Sequence, residues 1–315
     1  MSPMRSPRQH TSGIIGQVGY YIHFGFRTFI MRRPIPIVGG LSITDVCNLD
    51  CRHCWRKNTG QGPASFPAVQ DAIAMLYGRG VRFLYIQGGE PFTWGDGGRT
   101  LIDVVDLAKR SGFFHVAVCT NGTYPLNAVP DTYWVSLDGI DATHDRIRGE
   151  DAFRRVQANV RASDHPNICG NITINRENAP ELERILRFAA GEPHLRGVLI
   201  NFHIPYPGVE HLRLDPAMRR EVADWAITLK RQGLPVINSI SGLRSLGRNT
   251  WPRPLKLSLV SDCISLYTCC RAHGQDHICR ECGYAVWAEL SRIFRPNILE
   301  SCRLLFQLYR FRTRA

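Results

Sequence analysis

Three cysteines in the run Cys47-Asn-Leu-Asp-Cys51-Arg-His-Cys54-Trp form a C-x3-C-x2-C triplet. Spacers this short let one loop wrap its thiolates around a single soft metal centre. In a chain with 11 cysteines among 315 residues, chance supplies such a triplet about 0.01 times. Three thiolates can hold three irons of a cubane cluster and leave the fourth open to a substrate or cofactor, as catalytic zinc keeps one position free. A structural zinc would want a fourth ligand. The only nearby candidate is His53, which is awkwardly placed between two of the cysteines.

Further groups follow in order. Gly88-Gly89-Glu90-Pro91 comes after an apolar run; two glycines let backbone approach a ligand closely, and a carbonyl and carboxylate there can accept from an ammonium group. Cys119-Thr120-Asn121-Gly122 and Ser136-Leu137-Asp138-Gly139 end later runs, and His144-Asp145-Arg146-Ile147-Arg148-Gly149 comes next. Six cysteines lie in the last 53 residues: Cys263, Cys269, Cys270, Cys279, Cys282 and Cys302. Their spacing allows an auxiliary iron–sulfur cluster. The Cys279–Cys282 pair with Gly283-Tyr284 also looks like one knuckle of a zinc ribbon. Four thiolates suffice, and the spacing favours Cys263, Cys270, Cys279 and Cys282, with Cys269 interchangeable with Cys270. Cys119 and Cys169 stand alone and read as small buried hydrophobes.

The elements that must position these residues are legible in the text. β-type runs at 41–44, 81–87, 115–120, 133–138, 171–175 and 198–204 alternate with helical stretches at 68–77, 100–111, 151–162, 179–190 and 216–232. Such alternation predicts an α/β fold with a parallel sheet and helical crossovers, closed or partly closed into a barrel. Ligand-binding residues then sit where strands end. Residues 241–258 read as a linker or irregular loop because of their Gly, Pro and Arg content.

With these motifs in place, the chain resembles the radical S-adenosylmethionine (SAM) superfamily. The triplet matches that family's cluster loop, and GGEP, T-N-G and S-L-D-G follow at the strand ends in the family's order. The resemblance covers roughly residues 37–240 and implies a partial (β/α)6 TIM-type barrel. It implies that Cys47, Cys51 and Cys54 hold a [4Fe–4S] cluster binding SAM. Gly88, Gly89, Glu90 and Pro91 would face the SAM amino group, and Ser136, with Arg148, its carboxylate. Asn121, Asp138, Asn171 and His203 are further candidates around the cofactor. It also implies an electron donor such as ferredoxin or flavodoxin, and a cysteine-rich extension carrying a second [4Fe–4S] cluster or zinc on Cys263, Cys269, Cys270, Cys279 and Cys282.

The predicted organisation is therefore an N-terminal tail and apolar, basic helix (1–36), the core barrel (37–240) and a cysteine-rich region with a basic tail (241–315). The charge is +12 and 44% of residues are hydrophobic, which excludes a disordered chain, a coiled coil and a collagen-like fibre. No apolar run reaches the roughly 20 residues of a membrane span. Cysteine usage without a secretory signal points to a reducing, cytoplasmic setting. Residues 13–34 predict a helix that either packs on the barrel or lies at a membrane surface. Its arginines, with the basic tail Arg310 to Arg314, suggest peripheral contact with anionic lipid and a lipid or isoprenoid substrate. This layout is similar to that of adenosylhopane synthase-like members of the family. The alternatives are a peptide maturase with an auxiliary cluster and a non-catalytic iron–sulfur or zinc protein binding nucleic acid. The latter leaves the ordered motifs unexplained.

Overall fold

The computed structural model describes residues 14–294, apart from 254 and 273. Six parallel strands form its centre: β1 Val38–Ser42, β2 Phe83–Gln87, β3 His115–Thr120, β4 Thr132–Ser136, β5 Ile168–Ile174 and β6 Leu195–Phe202. Each pairs with the next in sequence order. Helices join all but one of these pairs: α2 Phe66–Gly78, α3 Leu101–Arg110, α4 Ala142–Arg148 with α5 Ala152–Arg161, and α6 Leu182–Gly191, whereas β3 and β4 are joined by residues 121–131 without a helix. The six expected strands and five expected helices are all present, with ends displaced by a few residues.

Local chemistry sets the helix starts. Ser65 caps α2 through the Ala68 amide, and Thr100 with Asp103 closes a capping box on α3. In α2 the apolar residues Val69, Ile73 and Leu76 recur at helical spacing and are buried. They meet Leu84 and Ile86 of β2 and Val116 and Val118 of β3. The alternate strand residues, Phe83 and Tyr85 among them, belong to a second core inside the curve of the sheet. One sheet thus separates a helix-side core from an interior.

The region after residue 240 is woven into this sheet. β7 Ser258–Ser261 runs parallel to β1, and β8 Leu266–Thr268 pairs antiparallel with β7. The eight strands therefore lie in the order β8-β7-β1-β2-β3-β4-β5-β6. At the opposite edge, the Phe202 amide of β6 donates to the Gly283 carbonyl at 2.9 Å. A side chain at Gly283 would come within 1.9 Å of the Phe202 carbonyl, so glycine is required for this approach. Short helices α9 Asp276–Arg280 and α10 Ala285–Leu290 flank that junction.

The stretch read as linker corrects the sequence expectation: Ile240–Arg248 forms helix α8 on α7 Pro216–Arg231. Ser239 caps it through the Gly242 amide, and Leu243 and Leu246 are buried. Gly247 sits so close to α7 that a Cβ there would lie 2.5 Å from the Ala223 Cβ. The glycines that suggested a loop serve close helix packing instead.

The N-terminal helix α1, Ile14–Gly25, continues into a π-helical turn, Phe26–Ile30. One face packs on the barrel, as one of the two sequence readings expects, and the other is exposed. On one, Phe24 is buried and the Tyr20 hydroxyl donates to the Gly80 carbonyl at 2.7 Å. On the other, Val18, Ile22, Phe26, Phe29 and Ile30 are exposed, Ile22 at 68%. No described helix is long and apolar enough to cross a membrane.

Candidate functional site

The first cysteine loop leaves β1 and is held from both ends. Gly89 and Glu90 donate their amides to the carbonyls of Thr44 and Val46, each at 2.8 Å. This face-to-face packing explains both glycines: a Cβ at Gly88 would meet the Thr44 carbonyl at 2.5 Å, and one at Gly89 the Val46 carbonyl at 2.2 Å. At the far end the Asp45 carboxylate accepts from the Thr59 hydroxyl and the amides of Gln61 and Gly62. Cys51 is buried, while Cys47 and Cys54 are half-buried.

Donors surround these thiols. The Leu49 amide lies 3.5 Å and the Asn121 Nδ2 3.9 Å from the Cys47 Sγ, and the Arg148 Nη1 3.9 Å from the Cys51 Sγ. Burial pushes the Cys51 thiol up to about 11 and raises Cys47 as well. Thiolates here need a cationic partner, and ligated iron supplies one. Among the described residues no three thiol, imidazole or carboxylate groups meet at single-ion distance. A cubane cluster spaces its thiolates more widely than one ion does, and the loop with its N–H donors suits such a group.

Several predicted ligand residues have other partners. Glu90 is fully buried; its carboxylate accepts from the Thr120 hydroxyl at 2.8 Å and the amides of Asn121 and Phe92 at 2.7 and 3.2 Å. Burial pushes it up to about 7. It braces the end of β3. Pro91 is buried at the start of a 3-10 turn. Asp138 is also fully buried, taking the Arg148 Nε at 2.6 Å and the Thr173 amide at 2.7 Å. Arg148 and Asp138 thus neutralise each other beside Cys51. His203 gives its ring nitrogen to the Val209 carbonyl at 2.9 Å and secures the loop after β6.

Gly88 and Gly89 lie at the turn that ends β2, while Ser136, the last residue of β4, and Asn171, within β5, are register partners. Asn171 accepts from the Asn201 Nδ2 at 2.7 Å. Asn121 Nδ2 reaches Asn48 at 2.9 Å and so ties β3 to the cysteine loop.

One residue was weighed from sequence only as a zinc ligand, and another was missed. His53 is half-buried, with Nδ1 unpartnered and Nε2 3.7 Å from Asp138; desolvation keeps its imidazole neutral down to about 4. Its place inside the triplet was a usable signal. Tyr206 stacks on Trp55 with ring centroids 4.1 Å apart, and its hydroxyl lies 3.2 Å from that of Tyr284. A loop tyrosine carries no such signal.

Through that contact the site reaches the second cysteine group. Cys269 and Cys270 follow β8, Cys279 lies in α9 and Cys282 just after it; all four line one cavity with Tyr206 and Tyr284. Two arginines grip this knuckle: Arg253 donates to the carbonyls of Cys279 and Arg280, and Arg219 to those of Glu281 and Cys282. Burial raises Cys282 to about 11. Cys263 lies elsewhere, its Sγ 3.7 Å from the Ser42 carbonyl and its side chain against the helix-side core. Of the favoured set, Cys270, Cys279 and Cys282 are gathered with Cys269 about one cavity, and Cys263 stands apart from them. The reason is the hairpin: Cys263 sits at its tip, whereas the Cys269 amide bonds Ser258 at its base. Cys302 lies outside the described residues.

A family model described as the Radical SAM superfamily matches residues 41–189. Among curated proteins the chain is similar to the AdoMet-dependent heme synthase of Methanosarcina barkeri, 27% identical over 209 residues, 60% of this chain and 57% of that one. It is also similar to the sporulation killing factor maturation protein SkfB of Bacillus subtilis, 27% identical over 169 residues, 50% of this chain and 40% of that one. The chain spans less than two thirds of these relatives' lengths. Streptococcus suis SuiB bound to S-adenosylmethionine shares the fold, with a TM-score of 0.61 at 12% identity over 86% of this chain and 68% of that one.

Proposed function

The chain belongs to the radical SAM superfamily, and on that premise we propose that it cleaves SAM reductively and acts on a lipid or isoprenoid at a membrane surface. The cluster and SAM together supply one-electron cleavage of the sulfonium to methionine and a 5′-deoxyadenosyl radical. Cys47, Cys51 and Cys54 would hold the cluster, and a reductant such as ferredoxin or flavodoxin would supply the electron. The protein's own part is positioning. Gly88 and Gly89 set the loop height by packing on residues 44–46. Ser136 at the end of β4 and its register partner Asn171 within β5 offer adjacent polar groups. Trp55 and Tyr206 form an apolar wall that limits water beside the loop.

The lipid reading rests on the exposed apolar face of α1, whose C-terminal end carries Arg27, Arg32 and Arg33. Apolar residues with a flanking basic cluster suit an anionic bilayer. A peptide substrate is the second reading. It is favoured by the gathering of Cys269, Cys270, Cys279 and Cys282 about one cavity, which fits a second cluster or zinc, and by likeness to a relative named as a maturation protein.

The test is iron, sulfide and zinc content of anaerobically prepared protein beside a Cys47/Cys51/Cys54→Ala variant, followed by SAM cleavage under a strong reductant. About eight irons falling to about four, with 5′-deoxyadenosine from the wild type alone, support two clusters. About four falling to none, with zinc retained, makes the second site zinc. No iron and no cleavage in either form defeats the reading.

A further inference from the structure

Between the two cysteine groups lies a pair of arginines that the chemistry above does not use. Arg56 follows Cys54 by two residues, and Arg271 follows Cys270 directly. Arg271 reaches the C-terminal end of β1, where its Nη1 donates to the Ser42 hydroxyl at 3.2 Å. Among the described residues it has no carboxylate partner. Arg56 is mostly covered, its Nε is buried without a partner, and its one acid, Asp262, stands 3.8 Å away. Asp262 is already occupied by the amides of Ser265 and Ile264 at 2.8 and 3.2 Å and by the Tyr267 hydroxyl at 3.0 Å. The next carboxylate, Asp45, is turned into its own loop. The Arg271 charge acts on Arg56 across this space, and also on the buried Tyr85 and Tyr284.

Two partly covered guanidiniums, one beside an acid that is already engaged and the other without a carboxylate among the described residues, are an unfavourable arrangement unless an anion joins them. Their planar forks suit the two oxygens of a carboxylate or phosphate. We infer that Arg56 and Arg271 together bind an oxyanion of the substrate, a phosphate or carboxylate, and so anchor it between the first cysteine loop and the second. This rests on the reading that the strand-end mouth is the substrate face. For a lipid substrate the anion is the headgroup phosphate; for a peptide it is an acidic side chain or terminal carboxylate.

Phenylglyoxal labelling of the anaerobically prepared full chain, with each arginine followed by peptide mass spectrometry, tests this independently of SAM cleavage. Inorganic phosphate, succinate and SAM are compared with chloride at matched ionic strength. One of the first two should slow labelling of Arg56 and Arg271 by about tenfold, the effect of one charge-assisted contact. The exposed Arg154 and Arg187, each in a local ion pair, should not change. Protection by phosphate assigns a phosphorylated substrate and protection by succinate a carboxylated one. Arg271→Gln should abolish protection of Arg56. Equal labelling under all anions, protection of both residues by SAM alone, or full protection of Arg56 in Arg271→Gln would each overturn the inference. Loss of SAM cleavage with protection intact would count against the catalytic reading alone.

Discussion

The Nε of Arg148 donates to the Oδ2 of Asp138 at 2.6 Å, a fully buried ion pair lying directly under Cys51. The pair joins the end of β4 to α4 and sets the floor of the first cysteine loop. Asp138 is held below the usual carboxylate range despite its burial, through the Arg148 charge, the nearby His53 and the Thr173 amide. Asp138→Asn leaves a buried guanidinium without its counter-charge. The expected cost is about 3–5 kcal/mol, read by urea unfolding, with less iron retained at the first site. An unchanged midpoint would show that Arg148 finds another partner.

The two glycines before Glu90 make a steric prediction. Gly89→Ala places a methyl group 2.2 Å from the Val46 carbonyl, so the cysteine loop must move. Iron bound by Cys47, Cys51 and Cys54 should fall, with a loss of about 3 kcal/mol or more in stability. Gly78→Ala, at a position with open space around it, is the matched control and should retain full iron.

Stability should depend on pH through His144. Its Nδ1 accepts the Asp138 amide at 3.3 Å, so the proton sits on Nε2, which is buried without a partner. Burial, reinforced by the Arg148 charge, keeps the ring neutral down to about 4. An unfolded chain protonates the same ring near its ordinary 6.5. Between these values only the unfolded state gains the proton, so stability falls as pH drops from about 6.5 to about 4, by about 3 kcal/mol at most. Denaturant titrations of the wild type and His144→Gln across that window should show a shallower slope in the variant. Parallel slopes would remove His144 as the cause.

For the second centre, Cys279→Ala should lose its metal while Cys263→Ala keeps it, since only the former lines the shared cavity. Metal analysis of both variants on the anaerobic protein decides it. Loss in both would restore Cys263 to the ligand set.

Membrane contact is tested on α1. Ile22→Glu with Phe29→Glu replaces two exposed apolar side chains on the outer face and leaves Phe24 and Tyr20 packed. Each buried apolar side chain contributes of order 1–2 kcal/mol to interfacial binding. Sedimentation with vesicles of neutral and anionic phospholipid should therefore fall at least about tenfold. Equal sedimentation of both proteins would set the lipid reading aside in favour of the peptide.

The sequence by itself determined the order of strands and helices and the cysteine triplet. Period-two and helical burial patterns are local, and three thiolates in one short loop need no long-range information. It also placed GGEP directly after β2. Tertiary structure decided how the polar side chains are paired. The partners of Glu90, Asp138 and Arg148 cited here lie 10 to 35 residues away in sequence, so no local pattern names them. The same holds for the second cysteine group. Spacing cannot say which of Cys263 and Cys269 belongs to it, because a hairpin separates its tip from its base in space while keeping them neighbours in sequence. The helix at 240–248 was hidden because its glycines signal a loop locally, whereas their cause is tertiary contact, Gly247 with Ala223 of α7 and Gly242 with Glu289 of α10. Local pattern is set by backbone period and spacing; the direction in which a polar group is satisfied is set by which distant strand ends the sheet brings together.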